Sequence, residues 1–163
     1  MGLTTNGFMT KVWGPPMWMI MHMITLNYTE KKKKETKKFF ESLTGVLPCK
    51  KCRSNYTKII RNGPLKLTDS VFKNRNTLSL WLFKVHNQVQ KDIFKNTSSL
   101  KNKPEYTNSQ SDYQKAMKKY ERFRAKCKVK DHGCITPAKG ASLRSEIHIK
   151  KNTKSLKAGA SVR

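Results

Sequence analysis

Acidic residues are scarce in this chain of 163 residues. Ten Asp and Glu stand against 35 Lys and Arg, which gives a formal net charge of +25. That balance allows nucleic acid, anionic lipid or acidic protein surfaces as partners. Hydrophobic residues make up 36% of the chain, below the usual globular share. We therefore expect one domain with a modest core, followed by a tail that does not join it.

Long hydrophobic runs are also missing. The longest, Met17 to Met21, is far shorter than the roughly 20 residues that a membrane span requires. Lys11 is followed by a Trp-Gly-Pro-Pro sequence rather than by an apolar stretch and a small-residue cleavage site, so we predict no signal peptide. These features predict a soluble, cytoplasmic chain.

Cysteine is limited to four residues, which in a chain without a leader does not suggest a disulfide-stapled scaffold. Cys49 and Cys52 form a C-x-x-C pair at the predicted start of a helix. Free N–H groups and flanking cationic side chains favour a thiolate there, so the pair indicates redox chemistry. A zinc site completed by Cys127 and Cys134 is the weaker alternative, because six residues separate that second pair.

Three interpretations of Cys127 and Cys134 compete: a structural clamp on the last helix, a second exchange pair that relays electrons, or unpaired thiols. The six intervening residues include Gly133 and can close a disulfide loop. We favour the clamp.

Apolar residues recur at helical spacing in five segments, and no alternating strand pattern is evident. The fold is predicted to be all-α, a four-helix bundle with an additional short C-terminal helix. Each helix is expected to have one apolar side. The residues expected there are Phe39, Phe40, Leu43 and Val46 in the second helix, Tyr56, Ile59 and Ile60 in the third, Leu78, Trp81, Leu82, Val85, Val89 and Ile93 in the fourth, and Tyr113, Met117, Tyr120 and Phe123 in the fifth. The predicted helices run from Pro15-Pro16 to about Asn27, from Thr29 or Glu30 to Gly45, from Cys49 to Asn62, from Asn76 or Thr77 to about 95, and over 112–126.

Four regions follow from this pattern. The predictions are an irregular arm over 1–12, a core bundle over 13–95, a loop and additional helix over 96–136, and a basic, disordered tail over 137–163.

Four short motifs lie in order within the core bundle. They are Trp13-Gly14-Pro15-Pro16-Met17-Trp18 with His22 four residues on, then Tyr28, then Leu47-Pro48-Cys49-Lys50-Lys51-Cys52, then Trp81 ahead of His86-Asn87-Gln88-Val89. In this order and spacing they resemble the Erv/ALR family of FAD-linked sulfhydryl oxidases. The resemblance is greatest to the versions encoded by large nucleocytoplasmic DNA viruses.

The resemblance implies a thiol oxidase that forms disulfide bonds in substrate proteins. Cys49 would exchange with substrate, Cys52 would face the flavin, and electrons would pass through FAD to O₂ to give H₂O₂. FAD would be held within the bundle by helix side chains, because no Gly-x-Gly-x-x-Gly motif is present. The family also implies a homodimer through the first two helices. Its substrates would be a thioredoxin-like carrier or virion proteins, in the host cytoplasm or the virion.

Residue by residue, the resemblance implies a cofactor site and no metal ligands. Gln90 stands where members often have Asn, and Phe83 where many have a cysteine that pairs downstream. The Trp-rich C-terminal end of cellular members is missing, and Tyr113 to Phe123 are expected in its place. The implied cofactor residues are Gly14, Trp18, His22, Tyr28, Cys52, His86, Asn87, Val89, Gln90, Lys91 and Lys95.

Two other functions compete. A basic helical nucleic-acid-binding module with a structural or zinc-bound C-x-x-C predicts salt-dependent affinity and no bound chromophore. The basic tail, however, has no aromatic residues for base stacking. A thioredoxin-type exchanger needs a βαβ context around the cysteines, whereas their flanks are predicted helical.

Overall fold

The computed structural model describes residues 7–97, 103–128, 132–139 and 141. These residues form a helical fold, as predicted. Two short 3₁₀ helices, Glu30–Lys32 and Asp69–Phe72, lie between the longer elements. The α-helices are α1 (Thr10–Leu26), α2 (Lys33–Val46), α3 (Lys50–Arg61), α4 (Arg75–Thr97) and α5 (Gln110–Glu121), and the strands are β1 (Ala125–Lys126) and β2 (Thr136–Pro137).

Helix α1 begins at Thr10, five residues before the predicted start, so most of the described part of the N-terminal arm is helical or bonded to the core. Pro15 and Pro16 lie inside the helix rather than in its first turn. Each lacks an N–H, which leaves the carbonyls of Lys11 and Val12 without their helical donors. Both of those residues are exposed, so water can replace the lost hydrogen bonds.

Helices α2 and α3 pack against each other. Phe40 and Leu43 of α2 face the core, and so do Tyr56, Ile59 and Ile60 of α3, as predicted. Val46 is exposed, so its predicted place on the apolar side of α2 was wrong. Val46 is the last residue of α2, and 67% of its surface is exposed.

Helix α4 begins at Arg75, slightly before the predicted cap. The side chain of Asn74 accepts a hydrogen bond from the N–H of Thr77, and the Thr77 hydroxyl accepts one from Asn74, so the two residues form a reciprocal cap. The stripe from Leu78 to Val85 is buried. Ile93 is exposed, contrary to the prediction, and so are residues 95–97 at the end of α4.

Helix α5 ends at Glu121, five residues before the predicted end. The chain then turns into β1, which pairs antiparallel with β2 through Ala125 and Pro137. This small sheet was not predicted, since strands of two residues leave no pattern. The predicted tail lies outside the described residues, apart from 137–139 and 141.

Two apolar clusters form the core. The main cluster joins α1, α2, α3 and α4 around Phe40, Leu43, Leu78 and Leu82. The second joins α5 to α1 and α4 through Leu26, Phe83, Ala116 and Met117. Among the described residues, no helix is both long enough and apolar enough to cross a membrane.

Candidate active site

Cys49 and Cys52 form a disulfide at the start of α3, with their Cα atoms 5.2 Å apart. Cys49 is the N-cap of the helix, and its Sγ accepts a hydrogen bond from the N–H of Cys52 at 3.2 Å. A helix N-terminus favours negative charge. When the disulfide opens, the site is therefore built to hold a thiolate at Cys49.

The segment before the disulfide is fixed from two sides. Arg53 donates from Nη1 to the carbonyl of Leu47 at 2.5 Å, which ties α3 to the end of α2. On the other side, the N–H of Phe8 donates to the carbonyl of Pro48 at 2.8 Å, and Gly7 forms an isolated antiparallel bridge with Cys49. The N-terminal segment thus lies directly against the first cysteine.

The two cysteines face different surroundings. Cys52 packs against the main apolar cluster, as Trp18 does, and this cluster contains Tyr28 and Trp81. Cys49 is not part of that packing; it contacts the N-terminal segment instead. Cys52 is therefore the inner sulfur of the pair and Cys49 the outer one.

Two histidines meet between α1 and α4. His22 Nε2 lies 3.2 Å from His86 Nδ1. Trp18, one turn before His22, stacks on the His86 ring with centroids 4.0 Å apart and planes 8° apart. On its other side, His22 stacks on Tyr120 of α5, with centroids 4.7 Å apart. Aromatic planes from three helices thus lie together.

A cavity of about 60 Å³ adjoins these rings. Its lining includes side chains from α1, α4 and α5 and from the loop before α5. The lining residues are His22, Phe83, His86, Asn87, Gln90, Glu105, Tyr106, Ala116, Lys119 and Tyr120.

Two buried polar atoms at this cavity, Nδ1 of His22 and Oε1 of Gln90, have no hydrogen-bond partner in the described part of the chain. Gln90 Nε2 lies 3.4 Å from His86 Nε2, which continues the chain of contacts from His22. If the Gln90 amide donates to His86, then His86 donates to His22, and His22 retains a free N–H. If the Gln90 amide is instead turned so that its oxygen accepts from His86, then His22 donates to His86 and retains a free acceptor nitrogen, and the Gln90 amide nitrogen becomes the free donor. In both cases one donor and one acceptor remain free.

Burial keeps both imidazoles neutral. Desolvation, helped by the nearby His86 ring, lowers the pKa of His22 from 6.5 to about 3. Desolvation also lowers the pKa of His86 to about 4, against a small opposing effect of Glu105. At neutral pH the pair therefore presents uncharged aromatic faces.

The predicted cofactor residues fall into two groups. His22, His86, Asn87 and Gln90 line the cavity, and Trp18 stacks on one of its rings. The others do not line it: Cys52 and Val89 pack on the main cluster, and Tyr28 donates its hydroxyl to the carbonyl of Phe72 at 2.7 Å. Gly14, Lys91 and Lys95 also lie outside the lining, and Lys95 is exposed near the end of α4.

Six lining residues were not predicted from the sequence as members of this site: Phe83, Glu105, Tyr106, Ala116, Lys119 and Tyr120. Tyr120 lies on the predicted apolar side of the last helix. The helical spacing indicated that this ring is buried, but not that it stacks on His22. Glu105 and Lys119 form an ion pair, and Lys119 Nζ lies 5.0 Å from the centre of the Tyr106 ring. These contacts link the loop before α5 to α5, and no local pattern signals them.

Cys127 and Cys134 form the second disulfide, which closes the turn between β1 and β2. Both residues are exposed. The hairpin lies near the C-terminal end of α1, because Arg124 donates to the carbonyl of Leu26 at 2.7 Å. The first disulfide lies near the other end of α1, which at 17 residues is about 25 Å long. The described cysteines therefore do not come together as one metal site.

The fold and the site define a helical bundle with a disulfide at the start of α3. Its inner sulfur packs on the same apolar cluster as Trp18, which stacks on a histidine of the cavity. The model of the Erv1 / Alr family matches residues 15–111. The chain belongs to the Erv1 / Alr family, as its motifs predicted.

Three curated relatives agree with this assignment. A probable FAD-linked sulfhydryl oxidase of Acanthamoeba polyphaga mimivirus is 40% identical over 81 residues, which cover 47% of this chain and 55% of the relative. An FAD-linked sulfhydryl oxidase of Arabidopsis thaliana is 28% identical over 86 residues, covering 50% and 42%. A mitochondrial FAD-linked sulfhydryl oxidase of Saccharomyces cerevisiae is 27% identical over 86 residues, covering 50% and 43%. The chain thus spans about half the length of the relatives it matches.

Proposed function

We propose that this chain is an FAD-linked thiol oxidase that forms disulfide bonds in substrate proteins. The observation that carries the proposal is the Cys49–Cys52 disulfide at the N-terminus of α3, with one sulfur on the outer side and the other against an aromatic cluster. Family membership and the names of the three relatives support it.

Exchange begins when a substrate thiolate attacks Sγ of Cys49. The Cys49–Cys52 bond breaks, a mixed disulfide forms between the substrate and Cys49, and Cys52 leaves as a thiolate. The second substrate thiolate then attacks the substrate sulfur of that mixed disulfide. This releases the substrate disulfide and a Cys49 thiolate, whose charge the N–H of Cys52 stabilises. The substrate has lost two electrons and two protons, and the electrons reside in the reduced pair.

Bound FAD would accept that electron pair and pass it to O₂, which yields H₂O₂. The cavity residues fit such a group chemically: neutral aromatic planes at Trp18, His22 and His86 can stack on flat rings, and the free donor and acceptor at His22 and Gln90 can bind polar edges. Lys91 and Lys95 of α4 are proposed phosphate partners. The cavity of about 60 Å³ is smaller than ordinary small-molecule sites, which start near ~300 Å³, so side chains must move apart to admit the cofactor.

The same residues disfavour the nucleic-acid module as the main function. A structural C-x-x-C requires no cluster of aromatic planes in the same bundle, whereas a flavin-linked pair requires such planes to hold the cofactor. Electrostatic attraction of a +25 chain to polyanions remains compatible with oxidase activity.

Oxygen consumption with dithiothreitol as the substrate tests the proposal. The FAD-loaded protein should consume O₂ and release an equal amount of H₂O₂. Cys49→Ser and Cys52→Ser should each abolish turnover, whereas the double variant Cys127→Ser/Cys134→Ser, which also removes a disulfide, should keep it. Equal turnover in all four proteins would contradict the proposal.

A further inference from the structure

The chain segment that contains Cys49 carries charge of one sign. Residues 42–68 carry four lysines and two arginines and no carboxylate. Five of these cations belong to α3. Arg53 is half-buried and holds the Leu47 carbonyl, which leaves the other α3 cations for the surface.

Those cations share one face of α3. At 3.6 residues per turn, Lys50, Lys51, Lys58 and Arg61 fall within an arc of about 100°. All four are exposed, whereas Tyr56 and the two isoleucines on the opposite side are buried. Within the described part of the chain, no ion pair involves any of the four. We call them the α3 cationic face.

The cationic face runs away from the exchangeable disulfide. It begins at Lys50, the residue after Cys49, and ends at Arg61, about 16 Å further along the helix. Near its far end an open groove includes Arg61 and Lys66 and the exposed carboxylate of Glu41 from α2. An extended segment of about five residues would cover the same length.

An apolar rim borders the other side of Cys49. Phe8, Met9 and Val46 have 77%, 63% and 67% of their surface exposed. Phe8 is held there by its hydrogen bond to Pro48, and Val46 precedes Pro48 by two residues. Trp13 Nε1 also donates to the carbonyl of Phe8 at 3.1 Å, which fixes the segment a second time. Three exposed apolar side chains thus lie on segments that flank the outer cysteine.

We propose that the apolar rim and the α3 cationic face together dock acidic protein substrates. The substrate class has an apolar residue beside its reactive dithiol and carboxylates within about five residues of it. This proposal rests on the proposed oxidase function, because it names the substrates of the same disulfide. It follows from charge complementarity and from the continuity of both surfaces with Cys49.

Other occupants fit less well. A second copy of this chain has a net charge of +25 and offers few carboxylates to pair with the α3 cationic face. A polynucleotide would match the charge, but it has no use for an apolar rim or for a thiol-exchange site.

Two synthetic peptides provide the test. Both contain the same leucine-flanked Cys-x-x-Cys dithiol; one carries four glutamates within five residues of it, and the other four glutamines. With the FAD-loaded full chain, kcat/KM should be at least tenfold higher for the glutamate peptide at low salt. The ratio should fall toward one as the ionic strength rises.

Matched variants separate docking from net charge. Lys58→Glu/Arg61→Glu should abolish the preference for the glutamate peptide, and Phe8→Ser/Met9→Ser should lower kcat/KM for both peptides. Lys34→Glu/Lys38→Glu, an equal charge change at exposed positions of α2, should leave the preference intact. Dithiothreitol turnover should be the same in all of these proteins.

A second readout does not depend on turnover. A labelled glutamate peptide with serines in place of its cysteines should bind the chain and lose affinity at least tenfold in Lys58→Glu/Arg61→Glu. If the unmodified, FAD-loaded protein does not turn over dithiothreitol, the oxidase function is contradicted. The binding of the serine peptide then decides the docking proposal alone. The docking proposal is overturned by equal kcat/KM values for the two peptides, or by an equal effect of the α2 control. Tighter binding of a charge-matched oligonucleotide through Lys58 and Arg61 would also overturn it.

Discussion

His22 Nε2 lies 3.2 Å from His86 Nδ1, although 64 residues separate the two along the chain. This contact connects α1 to α4 at the wall of the aromatic cavity. Because both rings are neutral, each can stack on an aromatic plane without the cost of burying a charge. Their neutrality has a direct consequence for stability.

Acid should destabilise the cofactor-free protein through this pair. The folded-state pKa values, about 3 for His22 and about 4 for His86, lie below the ordinary 6.5, so the unfolded chain binds more protons in acid. The stabilisation is complete above about pH 6.5 and is lost as the pH falls toward the folded values. Each ring should account for about 3 kcal/mol of lost unfolding free energy by pH 4. Urea unfolding at several pH values measures this.

A matched pair of variants tests whether these histidines cause the dependence of the unfolding free energy on pH. His86→Gln should flatten the pH dependence by about half, whereas Ser54→Gln, an uncharged change at an exposed position of α3, should leave it unchanged. An unchanged slope in His86→Gln would show that other groups titrate.

Tyr120 should contribute to cofactor affinity through its ring. It stacks on His22, and its removal would open the cavity to water. Tyr120→Ala should raise the dissociation constant of FAD about tenfold, equivalent to about 1.4 kcal/mol, whereas Tyr120→Phe should keep the affinity. Titration of the cofactor-free protein with FAD, followed by tryptophan fluorescence, gives both constants. If Tyr120→Phe binds FAD as weakly as Tyr120→Ala, the hydroxyl rather than the stacked ring supports binding.

Gly7 should be intolerant of any side chain. Its φ is +127°, and an added Cβ would lie 2.2 Å from the carbonyl oxygen of Pro48. Gly7→Ala should therefore detach the N-terminal segment from Cys49 and cost about 1–3 kcal/mol. Gly45→Ala is the control, because a Cβ there meets no atom within 4 Å in helix α2. Equal unfolding free energies for the two variants would contradict the close approach.

The second disulfide should stabilise the C-terminal hairpin rather than relay electrons. It closes a short loop near the end of α1 that is far from Cys49. Loss of the loop constraint in Cys127→Ser/Cys134→Ser should cost about 2 kcal/mol. Hydrogen exchange should show faster opening of residues 125–128 and 132–137. If the double variant turns over a protein substrate more slowly while its hairpin stays protected from exchange, the second disulfide acts as a relay.

Much of the helical core could be predicted because its signal is local. The buried faces of α3 and α4 follow from apolar residues three and four apart. Helix α3 ends just before Asn62-Gly63-Pro64, a sequence that cannot continue a helix. Boundaries were less predictable. Water can satisfy the carbonyls that Pro15 and Pro16 leave free, so α1 extends back to Thr10.

The candidate site was predictable in part. The motifs identified His22, His86 and Asn87, and the structure brings these residues to one cavity. Tyr120 and the Glu105–Lys119 ion pair reach the cavity wall only because of the way α5 packs across α1 and α4. Such long-range packing leaves no local pattern. The sheet of β1 and β2 was missed for the same reason.

The visible absorption spectrum of the purified protein tests the central claim most directly. In the unmodified protein we predict a flavin band that dithiothreitol bleaches and air restores. In Cys52→Ser with FAD still bound, dithiothreitol should leave that band unchanged. Equal bleaching in Cys52→Ser, or a protein that neither contains FAD nor takes it up, would contradict the account.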